Sequence, residues 1–173
     1  MVLRLVGSEM CIRDSINKLL SLNIEVPSKT INILIDGDDY LYSGDVFHIL
    51  YEKYLNTNCL ITYGSYLSSK GVQGKKYPRL IRQLNLYRKY FWYASHLKTF
   101  RHDLWLSINK SDLLTHNGLY FSVASDLALM FPMLEMAGNR QEFIKDILYV
   151  YNYQNPISDH NTVSYTHLRA HET

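Results

Sequence analysis

The sequence predicts an α/β domain, because short β-rich apolar runs alternate along it with stretches of helical spacing. Hydrophobic residues make up 47% and charged residues 20%, which excludes wholesale disorder, and 173 residues suffice for one domain or a piece of one. No apolar run reaches the roughly 18 residues of a membrane span. Lys+Arg (18) nearly balance Asp+Glu (16), and a net charge of +2 gives no reason to invoke nucleic acid or an acidic membrane surface. Two cysteines make neither a disulfide framework nor a four-ligand zinc site. The unusual count is 15 Tyr, beside 6 Phe and 2 Trp, which points to strands and a stacking-rich cleft.

Both ends look foreign. Residues 5–15 (LVGSEMCIRDS) and 163–173 (VSYTHLRAHET) resemble the conceptual translation of a transposon-end sequencing adapter, read in opposite directions. Met1 to Ser15 is therefore not taken as a signal peptide, nor His167 and His171 as metal ligands. The expected native segment is 16–162, which keeps Cys59 but not Cys11, five of the seven histidines and the whole net charge of +2. A lone cysteine suits a reducing compartment.

Within that segment Ile16 to Asn23 has helical spacing, and Pro27–Ser28 breaks it. INILI (31–35) reads as a buried parallel strand that stops at DGDD (36–39). Ser43 is placed to cap a helix over about 44–56, with Val46, Phe47, Leu50 and Tyr54 on one face. CLITYG (59–64) is a second strand closed by Gly64, and 65–78, with two glycines, three lysines and a proline, reads as a mobile loop. Arg79 to Tyr90 is helical in part, FWYAS (91–95) a third strand, and Leu97 to Ile108 an amphipathic helix. LYFSVA (119–124) is extended, and Asp126 to Ala137 is an apolar helix closed by Gly138 despite Pro132. ILYVYN (147–152) is a fourth strand, ended by Asn155–Pro156.

DGDD carries the most chemistry. Side chains alternate along a strand, so Asp36 and Asp38 are expected to face the same way, with Gly37 leaving the backbone accessible. Clustered carboxylates repel one another unless a cation lies between them, and hard ions such as Mg²⁺ or Mn²⁺ take oxygen ligands and bridge to phosphates. Ligands of open α/β sheets bind at the carboxyl ends of strands, where this motif lies. A solvated acidic turn gives the same pattern, because Asp and Gly are common turn formers.

The acidic strand end, its following helix, a strand ending TYG and then FWYASHLKTFRHDLW (91–105), SDLALMFPMLEMAG (125–138) and ILYVYNYQNPISDH (147–160) together resemble nucleotide-sugar glycosyltransferases of the GT-A fold. The likeness is to the inverting, family 2-like branch and covers most of 31–160. It implies a truncated, Rossmann-like mixed sheet with flanking helices whose N-terminal nucleotide-binding strands are missing.

It also implies that Asp36, Asp38 and Asp39 hold Mn²⁺ or Mg²⁺ against the diphosphate of a nucleotide-sugar donor, with Asp159–His160 as a late contact and His160 a further metal ligand. The family's base is the second acid of a pair opening a helix. Here that position reads Ser125–Asp126, so the first acid is absent and Asp126 would deprotonate the acceptor hydroxyl. An acid that merely complements the helix dipole is the bland alternative. Glu135 is a weaker candidate and suits a structural hydrogen bond. His96, Lys98 and Arg101 place cationic groups near the same edge, for donor phosphates or acceptor, or else as a capping histidine beside solvated bases. Tyr63, Tyr66, Trp92 and Tyr93 suit sugar stacking, though each is more simply core, as are Met130, Phe131, Met133, Leu134 and Met136.

Two other readings stand beside the transferase. A haloacid-dehalogenase-like phosphotransferase or phosphatase also places Asp-x-Asp after an apolar strand, but expects Gly-Thr where this chain has Asp39–Tyr40. A degenerate, non-catalytic sugar-binding module would explain the missing acid before Asp126. The transferase reading implies a nucleotide-sugar and a glycan or other hydroxyl acceptor as partners, no nucleic acid, and a cytoplasmic enzyme, with membrane association of the full-length protein left open. Nothing ahead of Ile31 supplies the base-reading βα unit, so this chain is expected to be inactive and poorly soluble, with a raw sheet edge, while the full gene product is active. Isothermal titration of the chain with a UDP-sugar should show no micromolar binding, and micromolar binding would overturn that expectation.

Overall fold

The computed structural model describes residues 21, 25–118 and 125–153. Both adapter-like ends, nearly all of the Ile16–Asn23 helix, LYFSVA, Asp159 and His160 lie outside the described residues.

Three strands and a helix form from residues 31–68. β1 is Ile31–Leu34, β2 is Tyr40–Leu41, α1 is Val46–Thr57 and β3 is Ile61–Ser68. A short strand, β4 (Gly71–Gln73), and a short helix, α2 (Arg79–Gln83), lead to β5 (Lys98–Arg101) and α3 (His102–Leu106). The last two elements are α4 (Ser125–Ala137) and β6 (Gln141–Val150). The strands make one mixed sheet in the order β1-β5-β3-β6-β2, with β4 also paired to β3. The α/β expectation holds at that level.

Helix α1 forms where the spacing predicts it, burying Val46, Leu50 and Tyr54. It covers one sheet face, packing with Ile33, Ile35, Leu97, Ile144, Leu148 and Tyr149. Helix α4 covers the other, with Met130, Met133 and Leu134 fully buried in a cluster with Ile61, Tyr63 and Phe100. Met136, expected in the core, is instead 42% exposed. Gly138 ends α4 at φ +53°, its N–H reaching the Leu134 carbonyl at 3.1 Å, as the sequence suggests. Among the described residues no helix is long and apolar enough to cross a membrane.

Five assignments change. β1 is not a parallel strand; it pairs antiparallel with β5, Ile31 opposite Arg101 and Leu34 opposite Lys98. FWYAS is not a strand, because Tyr77 beneath it takes the Tyr93 N–H on its hydroxyl, which leaves the segment irregular. The predicted 97–108 helix is a strand followed by a five-residue helix, with the strand held by a buried polar ladder. Thr99 Oγ1 meets Thr62 Oγ1 at 2.6 Å and the Tyr54 hydroxyl at 2.9 Å. Residues 65–78 are not one loop: β3 continues to Ser68 and turns back through β4, with Gly71 at φ +86° and Tyr77 1% exposed. β6 begins at Gln141, six residues before the predicted start.

Gly64 lies inside β3 and does not close it. β3 runs parallel to β6 with a bulge after Gly64, and a Cβ on Gly64 would meet the Ile144 carbonyl oxygen at 2.8 Å. Gly64→Ala must therefore push the two central strands apart. Urea unfolding should show a loss of about 1–3 kcal/mol, and no loss would mean the close approach is not real.

Candidate functional site

The strand ends at Leu34, so the alternation expected to align Asp36 with Asp38 stops there. Residues 36–39 instead fold into a turn, closed by the Asp39 N–H on the Asp36 carbonyl at 3.2 Å. This turn brings Asp39 back beside Asp36. Continuing the β1–β5 register by two residues sets His96 across from Asp36, with Nδ1 3.9 Å from Oδ2. One ligand atom each from Asp36, Asp39 and His96 lie within 4.8 Å of one another. Asp38 is not part of this trio.

The end of β6 builds the floor. The fully buried Tyr149 places its hydroxyl under the turn, where it accepts the Asp36 N–H at 3.0 Å, and the His96 imidazole stacks on its ring at 4.7 Å between centroids and 3° between planes. Tyr66 and Tyr151 close around the same imidazole, with centroids 5.4 and 5.1 Å away. The Asn152 N–H donates to Asp39 Oδ1 at 2.8 Å. Asp39 is 9% exposed, and its other oxygen, Oδ2, is buried without a hydrogen-bond partner. Burial pushes the Asp39 carboxyl from its ordinary 3.8 up to about 6, against the lowering effect of the Asn152 N–H and the nearby Tyr149 hydroxyl, with Asp36 and Asp38 adding repulsion. Burial, with Asp36 and Asp39 nearby, also raises the Tyr149 hydroxyl's pKa. A buried carboxyl beside a second carboxylate and an imidazole is a donor set that suits a divalent cation.

Lys98 and Asp126 meet at the same strand end. Lys98 is opposite Leu34 in β5, and its 5% exposed side chain reaches Asp126 at the start of α4, Nζ to Oδ2 2.9 Å. Asp126 Oδ1 accepts from the Leu127 N–H at 2.9 Å, and the side chain remains 36% exposed. The ion pair thus fixes the sequence-predicted base at the acidic end of the sheet. Lys98 is thereby engaged with a carboxylate of the chain itself.

Arg101 is at the opposite end of β5, about 10 Å along the strand from Lys98. Its guanidinium donates to the carbonyls of Ser28, Tyr54 and Cys59 and lies over the Tyr54 ring at 5.4 Å. It ties the fold together and does not join the cluster. Glu135 is paired with Arg88 at 2.7 Å, which matches the structural alternative given for it. Tyr63 is core, and Trp92 packs on Phe131. Of the aromatic candidates, Tyr66 packs edge to face on His96. His160 and the side chain of Ser125 lie outside the described residues.

Tyr149, Tyr151 and Asn152 were missed as site residues. The available signal was the period-two run Tyr149, Tyr151, Tyr153, which sets three aromatics on one side of an extended segment.

The chain matches no protein-family model, and no curated protein is significantly similar to it.

The Asp39 shift has a defined sign. A carboxyl raised in the fold contributes stability that is fully present below pH 3.8 and lost as pH rises through about 6, a difference of roughly 2–3 kcal/mol. Without metal, thermal melts should therefore show Asp39→Asn more stable than wild type at pH 7.5 but not at pH 4. Added Mn²⁺ should raise the wild-type melting temperature at pH 7.5 and leave Asp39→Asn nearly unmoved. Equal Mn²⁺ effects on both would remove Asp39 from the site.

Proposed function

We propose that the chain is the metal-holding and base-bearing part of an inverting nucleotide-sugar glycosyltransferase of the GT-A, family 2-like kind. The observation that carries the reading is that the Asp36–Asp39–His96 trio gathers at the sheet end where β1 stops and β5 starts, the end at which Lys98, the first residue of β5, holds Asp126. A transferase of this type needs a divalent ion at the departing diphosphate and a carboxylate at the acceptor hydroxyl. The residue likeness over 31–160 supplies the family, and the geometry is compatible with it.

Asp36, Asp39 and His96 would hold the ion, which offsets the charge of the nucleoside diphosphate as it leaves. An imidazole nitrogen among the ligands favours Mn²⁺ over Mg²⁺. Asp126 accepts the acceptor's proton while Lys98 holds its other oxygen, so the carboxylate keeps one orientation through the reaction. The Tyr66, Tyr149 and Tyr151 rings keep His96 from turning away and limit water on that side.

A binding module without turnover is the second reading, favoured by the engagement of both Asp126 oxygens. Asp126→Asn in the full-length protein separates the two, since asparagine's oxygen still accepts from Lys98. A transferase should lose about 10²–10⁴-fold in turnover and keep metal-dependent nucleotide binding. Unchanged turnover would remove Asp126 as the base.

A further inference from the structure

The net charge of +2 conceals a strong segregation. Residues 53–102 contain ten Lys and Arg and none of the chain's 16 Asp and Glu. The fold engages four of these cations internally: Lys98 on Asp126, Arg88 on Glu135, Arg101 on backbone carbonyls, and Lys70 over the Tyr153 ring. Lys75, Lys76, Arg79 and Lys89 are exposed.

These four lie along one segment, 75–91, pinned to the body from beneath. Tyr77, Ile81 and Tyr87 point inward at 1%, 4% and 0% exposure, and the Tyr77 and Tyr87 rings meet edge to face at 5.1 Å. Backbone hydrogen bonds from Arg82 to Pro78, Leu84 to Leu80, Leu86 to Ile81 and Lys89 to Leu86 hold the intervening residues in tight turns. The side chains turned outward are then fixed by the anchors. Besides the cations they include Leu80, Leu84, Tyr90 and Phe91, exposed by 60%, 58%, 45% and 70%.

We propose that residues 75–91 form a surface that rests on an anionic lipid bilayer, with Lys75, Lys76, Arg79 and Lys89 among the headgroups and Leu80, Leu84, Tyr90 and Phe91 in the interface. Cations interleaved with Leu and aromatic side chains, with no acid in the segment itself, are the composition of interfacial membrane binders. Two of the four apolar side chains are leucines, which offer a nucleic-acid base no stacking face. Lysines are depleted from protein–protein interface cores, whereas this patch carries three. The inference does not depend on the transferase reading, because it uses no residue of the acidic site.

The test is co-sedimentation of the purified chain with phosphatidylcholine vesicles, plain or containing about one-third phosphatidylglycerol. Binding should occur on the anionic vesicles only and fall as salt is raised. The triple variant Lys75→Glu, Lys76→Glu, Lys89→Glu should weaken partitioning more than about a hundredfold. Leu80→Ser with Phe91→Ser should also weaken it, with an unchanged circular-dichroism spectrum. Lys145→Glu, exposed on β6, should behave as wild type. The proposal is overturned by absence of binding, by equal binding to both vesicle types, or by full binding of the triple variant. Retention on single-stranded RNA without vesicle binding would assign the patch to nucleic acid and overturn it too.

Discussion

The antiparallel register of β1 on β5 is the constraint on which the candidate site depends. Because Leu34 lies opposite Lys98, the residues that follow β1 and precede β5 share one end of the sheet, and Asp36 comes to face His96. The same register carries Lys98, and through it the first turn of α4 with Asp126, to that end. A slip of one residue would send Lys98 to the α1 face, among Ile33, Ile35 and Leu97 and away from Asp126. Thr99, fixed between Tyr54 and Thr62, opposes that slip, since its hydroxyl would lose both partners in a buried position.

The second support is β6, joined to β3 in parallel and closing around the acidic turn from below. Tyr149 serves packing and chemistry together. Its ring is core for α1 and a stacking floor for His96, and its hydroxyl takes the Asp36 N–H. The arrangement buries the Asp39 carboxyl, and burial of its charged form costs stability in the metal-free chain at neutral pH. The same turn sets this carboxyl beside an imidazole and a second carboxylate, the grouping on which the metal reading rests.

Much of the secondary structure was legible because it rests on period. α1 and α4 show their apolar faces in the sequence, and INILI declares itself by composition. β5 was not legible: KTFR is as much a helix surface as a strand, and its strand character comes from the Thr62–Thr99–Tyr54 ladder, residues far apart in sequence. FWYAS has strand composition but is held irregular by the Tyr77 hydroxyl. Of the site, Asp36 and Asp39 could be read from the acidic run, whereas the turn that pairs them and excludes Asp38 could not. His96 was placed near the edge with a different role, since ligand geometry needs the strand register. Total charge was misleading in the same way, because it sums over a basic segment, 53–102, and an acidic remainder.

The central claim is that Asp36, Asp39 and His96 act together on one cation. Electron spin-echo spectroscopy of the chain loaded with Mn²⁺ at substoichiometric ratio tests it most directly. The account predicts modulation from one directly bound imidazole ¹⁴N, lost in His96→Gln while weak oxygen-only binding persists. Oxygen-only coordination in the wild-type chain, or a nitrogen signal that survives His96→Gln, would contradict it.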